Sequence, residues 1–415
     1  MILFGSGFAG LGDIYMHAYL TADLPGIGGI IKETAEDFKV TEIPLYLPCG
    51  EGEHAYLEIE KRGLTTLEAV RRIARSLGVS DRDIGYAGLK DSRGITRQTL
   101  SIPRVETDRL LALSLPGITI LSAKRHRNKL KTGHLAGNSF SIRVREVESD
   151  AREKAAEILV ILCRRGVPNY FGSQRYGGLG NSHLIGKSLL RGDFKGAIDA
   201  IIGDPAMVRD DQWRQAVETY HRGDLTGSLE LFPGHCRTER EVLQRLLRRP
   251  EAYERALDAV SPRLKKLYLS AYQSSLFDRI LEQRLSTLDL VDEGDLAYRH
   301  DNGACFLVED RAAEEQRARD FEISPTGPMF GCKMKFPEGK PREAEEKVLR
   351  DEALTVAEFN LPGGLRMEGE RRPLRVPLQN LSLAMDDEGL TLNFSLPRGV
   401  YATTVLREIM KSNDI

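Results

Sequence analysis

The sequence predicts an α+β protein in which a largely helical segment interrupts a strand-rich domain. Residues 36–146 contain runs with the alternation typical of strands, whereas residues 183–290 are mainly helical. The strand pattern returns near the end, in the run LTLNFSL (390–396). We therefore place the insertion near Val167 and the return near Val376. The predicted domain parts are 1–166 and 377–415 for the interrupted domain and 167–376 for the insertion.

Composition and charge describe an ordinary globular chain of about two to three domains. It has 415 residues, with 59 Lys and Arg against 61 Asp and Glu, and a formal net charge of −2. This balance excludes a polybasic chain and an acidic disordered chain, but a local basic surface for nucleic acid remains possible. Five cysteines without a CxxC pair predict neither a zinc ribbon nor a disulfide framework. With no signal peptide and no long apolar run, we expect a cytoplasmic protein without a membrane partner.

The first elements are strands and one capped helix. The runs EDFKVTEI (36–43) and HAYLEIEK (54–61) alternate as strands do. Thr65 followed by Glu68 forms a capping-box pattern that begins a helix, and Gly78 ends it. The run IGYAGLKDSRGITRQTLSIP then predicts strand, loop and strand, with the loop from Lys90 to Gly94.

A second strand pair surrounds the most basic segment of the chain. ITILSA predicts a strand, KRHRNKLKTGHLAGN a loop, and SFSIRVREV a strand, after which Asp150 caps a helix to about Arg165. The first 150 residues hold 20 Lys and Arg against 19 Asp and Glu, so this loop is a local excess. Such a loop can neutralise phosphates, or it can be a solvated surface loop. Its basic residues are Lys124, Arg125, Arg127, Lys129 and Lys131.

The inserted segment and the end of the chain complete the pattern. The longest predicted helix runs from about Pro262 to Leu285 and carries an apolar stripe. Residues 294–380 hold short strands and a charged helix near Arg342 to Glu352. After the strand at 390–396, a short helix continues to Met410.

Asp91 is the first candidate for chemistry. It lies in GLKDSRGITRQ beside three cations, Lys90, Arg93 and Arg97. Nearby cations favour the charged form of a carboxyl group, which suits a nucleophile or a carboxylate next to phosphate. The alternative is an Asx-turn residue at the end of a strand.

Two loops combine aromatic and polar side chains, GNSF (137–140) and NYFGSQRYGG (169–178). They suit the stacking of an unpaired base with hydrogen bonds to its edge, and they suit the packing of a loop around a core aromatic equally well. Gly5, Gly7 and Gly10 spell GxGxxG, but the full strand, turn and helix of a dinucleotide site are missing from the pattern. We interpret them as a glycine-rich lead-in.

At GYAGLKDSRGITRQ the chain resembles the TruD family of tRNA pseudouridine synthases, and it looks like an archaeal-type member. The resemblance covers nearly the whole chain, in order, and its most specific segments are GLKD and VPNYFGSQRYG (167–177). The other segments are IKETAEDFKVTEI (31–43), GEGEHAYLEIEKRGLTT (50–66), KRHRNKLKTGHLAGNSFSI (124–142), LSAYQSSLFDRIL (269–281) and LPRGVYATTVLREI (396–409).

The resemblance implies an enzyme that isomerises uridine to pseudouridine at position 13 of tRNA, without a metal or an organic cofactor. It implies a pseudouridine synthase catalytic domain, a mixed sheet flanked by helices, with an inserted α/β TRUD domain. Asp91 matches the family's catalytic aspartate, and Lys32 matches a basic residue that pairs with it. Four residues match positions that line the uracil pocket: Phe38, Asn138, Phe140 and Tyr401. Tyr401 stands where some members have phenylalanine.

This reading implies that the target base is flipped out of the RNA and that Asp91 attacks the nucleotide. The sequence leaves open whether Asp91 attacks ribose C1′, adds to the base or abstracts a proton. We expect the six site residues to line one cleft, the basic segment to hold the tRNA backbone, and the protein to be a monomer. The alternatives are a catalytically silent tRNA-binding protein on the same scaffold and, more remotely, an RNA methyltransferase, for which no cofactor loop is readable.

Overall fold

The structure is a computed structural model that describes residues 17–90 and 92–412. Asp91 and the GxGxxG run therefore lie outside the described residues. The chain forms two compact units, which we call the sheet unit and the helical unit. The sheet unit comprises Thr21–Val167, without residue 91, and residues 376–412; the helical unit comprises residues 17–20 and Pro168–Arg375. Across these described ranges, no helix has the length and apolar character needed to span a membrane.

The helices and strands follow in chain order. Residues 21–167 form β1 (Phe38–Pro44), β2 (His54–Arg62), α1 (Thr66–Leu77), β3 (Gly85–Tyr86), β4 (Ile95–Pro103), α2 (Thr107–Leu111), β5 (Ile118–His126), β6 (Leu135–Val144) and α3 (Ala151–Arg165). The crossing into the helical unit is β7 (Val167–Pro168). Residues 169–375 form α4 (Ser182–Leu190), α5 (Phe194–Ile202), α6 (Asp211–His221), α7 (Leu225–Leu231), α8 (Arg237–Arg248), α9 (Tyr253–Ala256), α10 (Pro262–Gln283), β8 (Leu296–Arg299), β9 (Cys305–Leu307), α11 (Arg311–Arg319), β10 (Ile323–Met329), α12 (Gly339–Asp351) and β11 (Glu370–Pro373). The return crossing is β12 (Arg375–Val376), and the chain closes with β13 (Gln379–Asp386), β14 (Gly389–Pro397) and α13 (Ala402–Met410).

The sheet unit is built on one mixed sheet with the strand order β13-β14-β6-β1-β4-β2-β5, and β3 pairs with β4. The β1–β4 pair is parallel, whereas β1 and β6 are antiparallel. The apolar face of α1 packs on β2 and β4 in a fully buried cluster. This cluster includes Leu57, Ile59, Ile73 and Leu100.

The predicted helix forms, with the Thr65 half of the predicted capping box, while the Glu68 carboxylate accepts a hydrogen bond from Arg72 at 2.8 Å. The Thr65 hydroxyl accepts a hydrogen bond from the Glu68 N–H at 3.2 Å, which satisfies a donor that the first turn would otherwise leave open. Gly78 ends the helix at φ +70°, a conformation that glycine adopts without a steric penalty. These two residues therefore fix where α1 begins and ends.

The basic segment differs from the predicted loop. β5 continues through His126, and β6 already begins at Leu135, so that Asn138 lies within a strand rather than in a loop. β5 is an edge strand, where long charged side chains reach solvent without disrupting the sheet. Charge density alone therefore did not mark the end of this strand.

The helical unit contains a helical core and a four-stranded sheet with the order β11-β10-β8-β9. The aromatic side chains of the NYFGSQRYGG segment are buried here, since Tyr170, Phe171 and Tyr176 are at most 8% exposed. The Asp278 carboxylate on α10 accepts hydrogen bonds from the Phe171 N–H at 3.1 Å and from the Tyr176 hydroxyl at 2.5 Å. Burial raises the pKa of Asp278 to about 8. In this segment the aromatic side chains pack inside the unit rather than offering a surface for a base.

Gly94 directly precedes β4, beside the start of β1, and has φ +140°. A Cβ atom at this position would lie 2.3 Å from the Phe38 carbonyl oxygen, which belongs to the backbone and cannot move aside cheaply. Gly133 also has a positive φ, +91°, but its Cβ would meet no atom within 4 Å. An alanine at Gly94 would meet both backbone strain and steric overlap, whereas an alanine at Gly133 would meet backbone strain alone.

We predict that Gly94→Ala destabilises the protein more than Gly133→Ala does. Backbone strain alone costs about 1–3 kcal/mol at either position, and the overlap with Phe38 adds to that cost only at Gly94. Urea unfolding of the two variants measures the difference. Equal losses in the free energy of unfolding would contradict the close approach of β1 and β4.

Candidate functional site

Three of the predicted base-binding residues share one face of the sheet. In the pairing of β1 with β6, Phe38 lies opposite Ile142, Val40 opposite Phe140, and Glu42 opposite Asn138. Directly opposite residues point to the same face of a sheet. Phe38, Asn138 and Phe140 therefore lie on one face, together with Glu42.

Phe38 and Lys32 lie in contact at one side of this face. The Lys32 ammonium group lies 4.4 Å from the centroid of the Phe38 ring, a cation–π distance. Phe38 is 6% exposed, and Lys32 is partly exposed. Lys32 has φ +60°, a backbone conformation that is uncommon for residues other than glycine and that is typical of functional sites.

Phe140 and Tyr401 differ in how much of the ring solvent can reach. Phe140 is 7% exposed and stacks on Phe394 of β14 at a centroid distance of 5.3 Å. Tyr401 is partly exposed and precedes α13, where its carbonyl oxygen accepts hydrogen bonds from the Thr404 N–H and hydroxyl. It follows the end of β14, where Leu396 pairs with Asn138. Phe140 therefore packs in the core, on the same sheet face as the predicted site residues Phe38 and Asn138.

Lys90 links the site residues and was not singled out by the sequence. Its ammonium group donates a hydrogen bond to Asn138 Oδ1 at 2.5 Å and lies 3.7 Å from Glu42 Oε2. The side chains of Lys90 and Glu42 are 7% and 3% exposed. Glu42 Oε1 also accepts a hydrogen bond from the Thr99 N–H at 3.3 Å. The structure thus places a buried ion pair beside the predicted base-reading amide.

Burial and attraction act in opposite directions on this pair. Loss of solvent raises the pKa of Glu42 and lowers the pKa of Lys90, because each charged form loses its hydration. The charge of each partner opposes the shift of the other. Each charge in the pair therefore depends on the presence of the other.

The backbone of Lys90 is also fixed, at the start of α1. Its N–H donates to the Thr66 hydroxyl at 2.8 Å, and that hydroxyl donates to Gln98 Oε1 at 2.9 Å. Its carbonyl oxygen accepts from the Thr66 N–H and from the buried Lys61 ammonium group, both at 3.4 Å. Asp91 is the next residue in the sequence, so the chain reaches it from a residue that is fixed by main-chain and side-chain bonds.

Glu42 and Lys61 were missed by sequence reasoning, although a signal for Glu42 existed. The alternation of Phe38 and Val40 on β1 continues to Glu42, which places a carboxylate on the buried face. A charged residue at a buried strand position needs a partner, and this rule would have pointed to a lysine elsewhere in the site. Nothing in the sequence identified Lys90 or Lys61 as that lysine, because the pairing depends on tertiary structure.

The five cations of the basic segment lie on β5 and on the residues that follow it, and they differ in whether their side chains have partners. Lys124 lies opposite Tyr56, and Arg125 opposite Ala55 of the buried cluster. Arg125 pairs with Glu106 at 2.7 Å, Arg127 pairs with Glu51, and the Lys129 ammonium group donates to the Arg82 carbonyl at 2.7 Å. The side chains of Lys124 and Lys131 are exposed, and among the described residues their ammonium groups make no ion pair or hydrogen bond. These two lysines therefore carry the cations most available for phosphate.

The comparisons with known proteins agree along nearly the whole chain. The family model for tRNA pseudouridine synthase D (TruD) matches residues 14–409. A curated tRNA pseudouridine synthase D from Geobacter sulfurreducens is 65% identical over 399 residues, which is 96% of this chain and 98% of the relative. The relative of the same name from Geotalea daltonii is 62% identical, over 96% of this chain and all of the relative.

A crystal structure of a chain assigned as TruD from Methanosarcina mazei is similar in fold. Its TM-score is 0.84 at 29% identity, over 97% of this chain and 98% of that one. The predicted α+β fold class and the family resemblance are thus confirmed. The finer prediction of an archaeal-type member is not confirmed, because the relatives with 62–65% identity come from Geobacter and Geotalea.

We predict that Glu42 and Lys90 are energetically coupled. Removing one partner of a buried ion pair costs about 3–5 kcal/mol, because the other charge is left without compensation. The variants Glu42→Gln and Lys90→Met should each destabilise the protein, and the double variant should lose less than the two single losses combined. Chemical unfolding of all three variants measures the coupling. Additive losses would show that the two side chains do not form a pair in solution.

Proposed function

We propose that this chain, which belongs to the TruD family of tRNA pseudouridine synthases, isomerises uridine to pseudouridine at position 13 of tRNA. The single observation that carries the proposal is the position of Lys90. This residue directly precedes Asp91 in the sequence, and its side chain bonds to Asn138 on the sheet face that also holds Phe38 and Phe140. Three of the four residues that match the uracil pocket share this sheet face, and Lys90 bonds to one of them and directly precedes the aspartate that we propose as the nucleophile.

In this proposal, Asp91 is the nucleophile and Lys32 keeps it ionised through its positive charge. The target uridine is stacked in folded RNA, and flipping it out costs a few kcal/mol. Stacking on an aromatic ring returns about 1–3 kcal/mol per base. Tyr401 offers a partly exposed ring for this contact, and Phe38 and Phe140 form the floor beneath the base.

The reaction exchanges one bond of the base for another. The N1–C1′ bond breaks, the uracil turns within the pocket, and a C5–C1′ bond forms; C5 then loses its hydrogen as a proton and N1 gains a proton, with no net oxidation or reduction. The pocket must therefore hold the free base while it turns, and the buried side chains around Lys90 suit this task because they are fixed by several bonds each.

The two units take the roles that the family implies. We assign the sheet unit as the pseudouridine synthase catalytic domain and the helical unit as the inserted TRUD domain. On β5 and the segment after it, the five basic residues hold the tRNA backbone, with the main contribution from Lys124 and Lys131 because three of the five are engaged with other groups of the chain.

We predict that Asp91→Asn abolishes pseudouridine formation in a tRNA transcript, with a loss of about 10³-fold or more, because an amide cannot replace the nucleophile. The readout is the pseudouridine content at position 13. Asp83→Asn, which changes an exposed acid earlier in the same connection, is the matched control and should remain active. Full activity of Asp91→Asn would refute the assignment. Tight tRNA binding by the wild type without any pseudouridine would favour a silent tRNA-binding protein instead.

We predict that the basic segment contributes only a few phosphate contacts. The double variant Lys124→Ala/Lys131→Ala should weaken tRNA binding and reduce the slope of log K against log salt by about 1–2. Arg125→Gln/Arg127→Gln should change the slope less, because Glu106 and Glu51 already neutralise these two charges. Measuring the tRNA affinity of both double variants between about 50 and 200 mM salt tests the two expected slopes. A larger change in the arginine variant would contradict this division.

A further inference from the structure

The hydrogen bond between Lys90 and Asn138 determines which way the Asn138 amide faces. A lysine ammonium group has three donors and no acceptor. The amide atom that it contacts at 2.5 Å must therefore be the carbonyl oxygen, Oδ1. The amide orientation, which is often ambiguous, is fixed here by the chemistry of the partner.

With its oxygen bound to Lys90, Asn138 presents its NH₂ group to the rest of the pocket. We propose that Lys90 is a positioning residue that holds Asn138 as a hydrogen-bond donor to O4 of the flipped uracil, and thereby selects uridine over cytidine. The inference rests on the proposed function, since it concerns the same pocket. The inference specifies the direction of the hydrogen bond between Asn138 and the base: Asn138 donates and does not accept.

The surroundings of Lys90 keep this arrangement in place. Glu42 lies 3.7 Å from the ammonium group, and both side chains are at most 7% exposed. The Thr66 hydroxyl and the Lys61 ammonium group fix the backbone of Lys90. Turning the Asn138 amide over would place an NH₂ group against the Lys90 ammonium group and leave a buried donor without an acceptor, which is costly.

A donor-only amide also suits a base that turns during the reaction. Turning the uracil ring about the axis through N3 and C6 exchanges N1 with C5 and, at the same time, O2 with O4. The group that donates to O4 before the turn thus meets O2 afterwards, and both are acceptors. Cytosine carries an amino group in place of O4, so it would oppose one donor with another.

The experiment compares the affinity for tRNA transcripts that carry uridine or cytidine at the target position. The wild type should bind the uridine transcript roughly tenfold more tightly, because uridine accepts a hydrogen bond where cytidine presents a second donor. Asn138→Asp has the same shape but offers an acceptor, so the preference should reverse. Lys90→Met frees the amide to turn, so the ratio should approach one. Lys411→Met is the matched control, because Lys411 also pairs with a buried carboxylate of the sheet unit, that of Glu408, and the ratio should stay at the wild-type value.

Several outcomes would overturn the inference. These are no discrimination by the wild type, an unchanged uridine preference in Asn138→Asp, or full discrimination in a folded Lys90→Met. A loss of general stability would weaken both transcripts alike and leave the ratio unchanged, so the ratio separates positioning from folding. If Lys90→Met does not fold, Asn138→Asp alone decides. Pseudouridine formed by the wild type in the uridine transcript is measured in parallel, and its absence would count against the proposed function rather than against this inference.

Discussion

The burial of the Lys90 ammonium group is the constraint on which the site depends. A cation removed from water needs partners around it, and two of these come from neighbouring strands: the Glu42 carboxylate on β1 is its counter-charge, and Asn138 Oδ1 on β6 accepts its hydrogen bond. The same requirement explains why a carboxylate occupies the buried face of a strand, where apolar residues are the rule. It also fixes the orientation of an amide that would otherwise be free to turn.

Around Lys90, the secondary-structure elements that stabilise the fold also position the side chains of the candidate site. The N-terminus of α1 provides Thr66, which accepts the Lys90 N–H and donates to its carbonyl oxygen, and the core under α1 keeps that helix in place. Gly94 permits the close approach of β1 and β4 a few residues later. The sheet on one side and the capped helix on the other thus hold Lys90 and Gly94, which lie before and after position 91 in the sequence. Sites fixed by regular elements keep their geometry better than sites on free loops.

The sequence predicted the local elements well and the tertiary pairings poorly. Thr65, Glu68 and Gly78 identify α1 because caps and periodicity act within a few residues. The extent of β5 and β6 was underestimated, because charged residues on an edge strand look like those of a loop. The NYFGSQRYGG segment suited either a base or a core, and the burial of Tyr176 against Asp278 decided for the core within the helical unit. Glu42 and Lys90 are 48 residues apart, and no local pattern joins positions at that separation.

The distribution of charged residues along the chain indicates which contacts can give specificity for RNA. A net charge of −2 over 415 residues provides no general attraction for a polyanion, and in the basic segment Arg125 and Arg127 form ion pairs with Glu106 and Glu51. Phosphate contacts confer affinity without regard to sequence, so a small number of free cations limits nonspecific binding. A larger share of the binding free energy must then come from contacts that depend on the shape of the RNA and on the flipped base. Under the proposed function, the fixed polar groups around Lys90 are suited to recognition as well as to chemistry, because a pocket that holds a turning base rigidly also distinguishes it from the wrong one.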